Sequence, residues 1–264
     1  VGDPSGKSSM RQMLSAEDIH NNAERIRSQL SRFVDIDGQG GVLENNLNWL
    51  SGLKYLELLR EVGVHFSVNR MLTAECFKAR LEQGLSFLEF NYMILQAYDF
   101  LELQRKHNCV LQLGGDDQWS NMLAGVELIR RSGGAQAYAL TYPLLTTSDG
   151  RKMGKTEKGA VWLDAARTSP YEYFQYWRNV PDDRVRACLL YFTFLPNGEI
   201  DAMLDSGPDH INQTKEVLAF EATKIAHGES EARAARQSAR AAFGGGVAAD
   251  LPTTEIDAAL CHEG

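Results

Sequence analysis

Two short apolar runs constrain the fold of this chain more than any other feature. Val110–Leu113 ends in Gly114-Gly115, Ala137–Thr141 is again followed by a loop, and between them Trp119–Arg131 has helical spacing. Each run is strand-length and bounded by turn residues, and a helix long enough to cross over joins them. Parallel strands need such a crossover, so the reading is an α/β domain with a parallel sheet covered on both faces.

The surroundings read as mostly helical. Ser15 opens a capping box with Asp18, and Ile19, Ala23, Ile26, Leu30 and Phe33 follow at helical spacing, which predicts an amphipathic helix over about 16–34. Further helices are expected over Trp49–Val62 and Thr73–Leu81, separated by the stretch His65–Asn69. After Asp164 the character changes. Ser169-Pro170-Tyr171-Glu172 joins an N-cap, a proline at the first helical position and a capping glutamate. From there to Phe243 the pattern is helical, broken near Pro181, Pro196 and Gly207-Pro208, and no internal repeat is visible. The expected organisation is therefore residues 1–164 as an α/β part, 165–243 as an all-α part, and 244–264, from Gly244-Gly245-Gly246 onward, as a linker or tail.

Composition narrows the class. The 264 residues are 44% hydrophobic and 23% charged, as in ordinary globular proteins, and the formal net charge of −8 argues against a chain built mainly to coat nucleic acid. Cys76, Cys109, Cys188 and Cys261 stand far apart with no Cys-x-x-Cys spacing, so they read as reduced thiols and no metal site is expected. No apolar run reaches membrane-spanning length and no basic-then-apolar leader is present, which gives a cytoplasmic expectation.

Candidate chemistry lies in four places. Gly2-Asp3-Pro4-Ser5-Gly6-Lys7-Ser8 imitates a phosphate-binding loop. Only three residues separate its glycines where four are required, and no strand precedes it, so a polar turn is the better local reading. In the apolar helix Phe90–Phe100, Tyr92, Gln96 and Asp99 stand at i, i+4 and i+7 with their polar tips on one face. Buried there, they either satisfy one another and nearby backbone or line a pocket for a polar ligand. Leu111-Gln112-Leu113-Gly114-Gly115-Asp116-Asp117-Gln118-Trp119 is either a glycine turn open to a ligand with acids for ribose hydroxyls, or a tight turn with Asp117 capping the next helix. Ser148–Gly159 packs four cations and three glycines into a dozen residues. That is either a solvated loop or one in which Lys152 and Lys155 close over a polyphosphate.

Lys152-Met153-Gly154-Lys155-Thr156 resembles the Lys-Met-Ser-Lys-Ser signature of class I aminoacyl-tRNA synthetases. Together with Gly2–Lys7, Tyr92-x-x-x-Gln96-x-x-Asp99, Gly114–Trp119 and Gly159-Ala160-Val161-Trp162-Leu163-Asp164, it makes residues 1 to about 243 similar to bacterial-type tyrosyl-tRNA synthetases. The resemblance implies a Rossmann-like nucleotide-binding catalytic domain followed by an all-α domain on the anticodon side of tRNA. It implies ATP-dependent activation of L-tyrosine and transfer to tRNA(Tyr), with Mg2+ accompanying the ATP, in a homodimer. Asp3, Tyr92 and Gln96 would hold the substrate ammonium with Gln112 nearby, and Asp99 would accept from the phenol hydroxyl. Gly115 and Asp117 would contact the adenylate ribose, Gln118 would lie beside the reacting carboxyl group, and Lys152, Lys155 and Thr156 would grip the phosphates. Phe87 and the helices of about 49–81 would approach the dimer contact, although Phe87 reads equally well as a core residue. Arg233, Arg236 and Arg240 either face tRNA or form a solvated helix face.

The departures from the family pattern are as informative. None of the six histidines forms the His-Ile-Gly-His signature, residue 1 falls beyond the family's first strand and helix, and no basic domain follows the glycine linker. Gly154 and Thr156 stand where the class signature has serines, and Asp116 adds a charge where the family often has serine. The expectation is the central portion of a synthetase, catalytically crippled as written. The alternatives are a non-catalytic tyrosine-binding or dimerisation module, or a tryptophanyl relative.

Overall fold

Side chains able to cap helices decide where several of them begin. In the computed structural model Ala16–Leu30 (α1) starts after Ser15, whose Oγ accepts from the Asp18 N–H at 3.1 Å while Asp18 Oδ2 accepts from the Ser15 N–H at 3.2 Å. The helix ends at Leu30, short of the expected residue 34, and none of its residues is buried. The structure describes residues 3–4, 14–36, 40–146, 155–156, 159–207 and 210–243. The chain divides into two compact units, Val1–Glu24 with Val42–Leu145, and Arg25–Gly41 with Thr146–Gly264.

The first unit continues with Leu47–Leu50 (α2), Tyr55–Glu61 (α3), Val68–Leu72 (α4), Glu75–Leu81 (α5), Phe87–His107 (α6) and Trp119–Arg131 (α7). The single helix expected over Trp49–Val62 is two, because Ser51-Gly52 interrupts it and glycine costs a helix interior about 1 kcal/mol. The expected break at His65–Asn69 partly belongs to α4, and the helix expected from Thr73 starts at Glu75 because Ala74 is extended. Helix α6 has the firmest start. Ser86 and Glu89 form a complete capping box, and Glu89, almost fully buried, is also gripped by Arg80 Nε at 2.9 Å and Nη2 at 3.2 Å. That grip holds the Glu89 carboxyl below the usual carboxylate range.

Helices α6 and α7 pack closely because α7 presents a glycine to α6. A Cβ on Gly125 would lie 3.0 Å from Phe100 Cδ1 and 3.1 Å from its Cβ. Ala97, Phe100, Leu101, Leu128 and Ile129 fill this core. The strand pair is present as expected: Leu111–Gly115 (β1) and Tyr138–Tyr142 (β2) run parallel, with Leu111 opposite Tyr138 and Gly115 opposite Tyr142. Helix α7 covers one face, where Gly114 meets Met122. Cover on the second face is not found among the described residues: Leu113, Leu140 and Tyr142 are each more than half exposed.

The second unit contains the short antiparallel pair Lys155–Thr156 (β3) and Gly159–Ala160 (β4) and the helices Pro170–Arg178 (α8), Val185–Phe192 (α9), Asn197–Asp205 (α10), Ile211–His227 (α11) and Glu229–Phe243 (α12). The expected start of α8 is a complete capping box between Ser169 and Glu172 with Pro170 in the first turn. Pro181 and Pro196 stand at breaks, and Gly207 and Gly228 adopt positive φ where helices end. Phe174, Val185, Leu189 and Leu218 are fully buried at the centre of this unit. Ala222, Ala226, Ala235 and Ala239 are buried between α11 and α12, where small side chains let the helices approach.

Candidate functional site

The polar face of α6 is built around Asp99. Trp49 Nε1–H donates to Asp99 Oδ1 at 2.7 Å, and Asn46 Nδ2–H donates to Oδ2 at 2.9 Å. Burial pushes the Asp99 carboxyl above its ordinary range, and the two donors oppose that shift. Each carboxylate oxygen keeps a further lone-pair direction after its one protein hydrogen bond. The group is thus a partly desolvated acceptor, oriented from two sides and still able to accept from an incoming hydroxyl. On the same helix Gln96 Oε1 is buried with no hydrogen-bond partner among the described residues. Such an orphan costs about 1–3 kcal/mol unless something else donates to it.

The second half of the site is the end of β1 and the turn after it. Gly114 and Gly115 are hemmed in by side chains rather than selected by a positive φ. A Cβ on Gly114 would meet Met122 Sδ at 2.8 Å, and one on Gly115 would meet Asp117 Oδ1 at 2.8 Å and Leu144 Cδ2 at 2.9 Å. The chain then turns through a single 3-10 turn, Asp116–Gln118, into α7. Asp117 does not cap α7: Gln118 is its N-cap residue and no side chain bonds there, so the capping alternative for Asp117 is not realised. Instead Asp117 lies beside the Gly115 backbone. Gln118 Nε2 donates to Asp3 Oδ2 at 3.2 Å while its Oε1 accepts from Asn121 Nδ2 at 3.2 Å. This chain of contacts fixes which end of the amide faces Asp3. Gln112 Oε1, on β1, is a second buried acceptor with no partner among the described residues.

The candidate residues therefore fall into groups. Tyr92, Gln96 and Asp99 share α6; Gln112, Gly115, Asp117 and Gln118 share β1 and its turn; and Asp3 is tied to the latter group through Gln118. Lys155 and Thr156 belong to the other unit, where their backbone forms β3, while Lys152 lies outside the described residues. Asn46 and Trp49 were not anticipated as functional. The available signal was that indole is a donor with no acceptor, so a buried tryptophan usually needs an oxygen nearby. No pattern in the sequence names Asp99 as that oxygen.

Among the described residues no group of three or more His, Cys, Asp or Glu is placed to hold a metal ion. Cys76, Cys109 and Cys188 are free thiols, and burial pushes Cys76 and Cys188 up to about 11, which keeps both protonated and unreactive at neutral pH. No helix of the described residues is long and apolar enough to cross a membrane.

The comparisons with known proteins agree with this geometry. The chain is 58% identical over 257 residues to tyrosine–tRNA ligase 1 of Clostridium acetobutylicum, a match covering 97% of this chain and 63% of that protein. It is 56% identical to the tyrosine–tRNA ligase of Caldanaerobacter subterraneus subsp. tengcongensis, again over 97% of this chain and 63% of the relative. The chain thus spans a little under two thirds of the length of these relatives. Among solved structures, a C-terminally truncated Aspergillus nidulans mitochondrial tyrosyl-tRNA synthetase superimposes with a TM-score of 0.73 at 29% identity, covering 92% of this chain and 73% of that one. The corresponding Coccidioides posadasii structure gives 0.70 at 29% identity, covering 90% and 70%. The family described as "tRNA synthetases class I (W and Y)" matches over residues 1–244. An oriented, partly desolvated Asp99, a space-constrained glycine turn at the end of a parallel strand and a family match over nearly the whole length lead to one conclusion: this chain belongs to the class I tRNA synthetases of the tryptophan and tyrosine group.

Proposed function

We propose that the protein to which this chain belongs is a tyrosine–tRNA ligase, activating L-tyrosine with ATP to tyrosyl-adenylate and passing the tyrosyl group to tRNA(Tyr). The observation that carries the choice of tyrosine is Asp99, an acceptor held by Asn46 and Trp49 with capacity left for one hydroxyl. A phenol supplies that hydroxyl at the end of a six-membered ring; a phenyl ring offers no donor, and an indole offers only an N–H on the side of a larger bicycle. In this reading phenylalanine leaves a desolvated acceptor unpaired and is rejected on the order of 10⁴ to 10⁵, a general figure for hydroxyl-reading sites that was itself established on tyrosyl enzymes.

The α-ammonium of tyrosine donates to oxygen acceptors on α6, on β1 and at Asp3. Asp3 and Tyr92 take part with Gln96, whose buried Oε1 has no donor among the described residues, and Gln112 adds a second such oxygen. Gly115 and Asp117 receive the ribose of the adenylate, because the bare backbone at Gly115 permits close approach. Gln118, held by Asp3 and Asn121, lies by the substrate carboxyl group. The carboxylate attacks the α-phosphorus in line and pyrophosphate departs. Lys152, Lys155 and Thr156 stabilise the charge that develops on the leaving phosphates, so positioning and electrostatics supply the catalysis. Mg2+ would accompany the ATP and offset the negative charge of its phosphates. Residues 1–164 are proposed as part of the catalytic domain and 165–243 as the helical anticodon-side domain, in a cytoplasmic homodimer. Phe87, 69% exposed at the start of α6, favours the dimer-contact reading over the core reading.

Tyrosine-dependent ATP–pyrophosphate exchange tests the proposal, measured on this chain and on the full-length protein containing it. The expected outcome is exchange by the full-length protein, absent when tryptophan replaces tyrosine. Exchange that prefers tryptophan, or full-length protein that binds tyrosine without exchange, would overturn it.

A further inference from the structure

One of the two Asp99 donors is itself held, and the holder is an exposed cation. The segment carrying Asn46 and Trp49 is clasped along the C-terminal half of α6. Asn46 and Trp49 bond Asp99, and Glu44 Oε1 meets His107 Nε2 at 2.8 Å. Between these two fastenings Lys106 Nζ stands 4.7 Å from the centroid of the Trp49 ring. Asp99 and Lys106 are seven residues apart, two turns of α6, and so share one face of it. Lys106 is itself tethered: its Nζ lies 3.7 Å from Glu102 Oε2, and Glu102 is largely buried and also accepts from Arg105 Nη1 at 3.2 Å.

We propose that Lys106 is a positioning residue for hydroxyl recognition, holding the Trp49 indole by a cation–π contact so that its N–H stays on Asp99. A cation over the ring face is attracted to the π cloud and draws electron density toward itself. Two consequences follow. The indole plane is restrained at the one orientation that aims Nε1 at Oδ1, and the polarised N–H becomes a stronger donor to the carboxylate. Trp49 is 8% exposed, so water does not readily take the place of this donor if the ring tilts away. The inference rests on Asp99 being the acceptor for the substrate phenol, and it adds to that reading a residue remote from the ligand.

The test uses the full-length protein with Lys106→Met, which keeps side-chain length without the charge, and Lys106→Arg, which keeps the charge. The indole N–H resonance of Trp49, assigned by its loss in Trp49→Phe, is read without substrate. KM and kcat for tyrosine and phenylalanine are read by ATP–pyrophosphate exchange. The expected result for Lys106→Met is an upfield shift of that resonance and a rise of about 2- to 5-fold in KM for tyrosine, the size of an exposed cation–π contact, with kcat and the phenylalanine reaction unchanged. Lys106→Arg is expected to restore both, and Lys106→Met is expected to add nothing once Trp49 is phenylalanine. An unmoved resonance, an arginine variant as impaired as the methionine one, or an undiminished effect in the Trp49→Phe background would each overturn the proposal. Failure of the underlying reading looks different: Asp99→Ala retaining full preference for tyrosine over phenylalanine would remove the specificity consequence, whereas the resonance judges the Lys106 contact by itself.

Discussion

Removing the two donors of Asp99 one at a time separates what burial contributes from what geometry contributes. Both are N–H groups on a carboxylate at normal distances, 2.7 Å from Trp49 and 2.9 Å from Asn46, so distance alone predicts similar effects. Exposure predicts otherwise. Trp49 is buried, and Trp49→Phe keeps the aromatic bulk while leaving Oδ1 without a donor that water can readily replace. A hydrogen bond to a charged group is worth about 1.5–3 kcal/mol, and at 1.36 kcal/mol per tenfold the tyrosine-to-phenylalanine ratio of kcat/KM should fall about 10- to 150-fold. Asn46 is exposed, so in Asn46→Ala water takes over the bond to Oδ2, and the loss should stay below about 1 kcal/mol, or roughly 5-fold. There is also a pH signature. The ionised acceptor exists above the Asp99 pKa, and the Trp49 donor lowers that pKa. Its removal should therefore move the acid limb of kcat/KM for tyrosine to higher pH. The assay is ATP–pyrophosphate exchange on the full-length protein across pH with both amino acids. Asn46→Ala equal to or worse than Trp49→Phe, or an acid limb that moves to lower pH in Trp49→Phe, would refute the reasoning.

Two further outcomes are expected. Glu89→Gln should destabilise the protein by about 3–5 kcal/mol in urea unfolding, because it strands the buried Arg80 guanidinium. Since Arg80 lowers the Glu89 pKa, the wild-type stabilisation is present above the ordinary carboxylate pKa and is lost as pH falls through the lowered one; the variant should lack that pH dependence. Gly115→Ala should push Asp117 and Leu144 aside and weaken ATP binding, seen as a raised KM for ATP, while tyrosine binding by equilibrium dialysis is retained; equal losses for both ligands would contradict the ribose assignment.

What could be read from the sequence was local. Ser15–Asp18 and Ser169–Glu172 are capping pairs because both partners lie within one turn, so spacing alone specifies them. The run from Leu111 through Gly115 and its parallel partner follow from short apolar segments joined by a helix, and the shared face of Tyr92, Gln96 and Asp99 follows from the 3.6-residue period. The interruption of the Trp49–Val62 helix was signalled by Ser51-Gly52 but masked by apolar residues at helical spacing on both sides. The absence of cover on one sheet face had no signal, because Leu113 and Leu140 are as apolar as residues that are buried. Two glutamines could be placed on their elements, but not identified as carrying buried oxygens without a donor among the described residues. The partners of Asp99 lay furthest from reach. Asn46 and Trp49 are 53 and 50 residues from it in sequence. A hydrogen bond across such a separation depends on how the 42–54 segment folds back over α6, and no periodicity, cap or turn rule encodes that path. The chain's own letters specified the capped helix starts, the strand pairing and the face that Tyr92, Gln96 and Asp99 share. Only tertiary packing decided which buried polar groups find a partner among the described residues, because satisfaction depends on neighbours that the fold, not the local sequence, brings within about 3 Å.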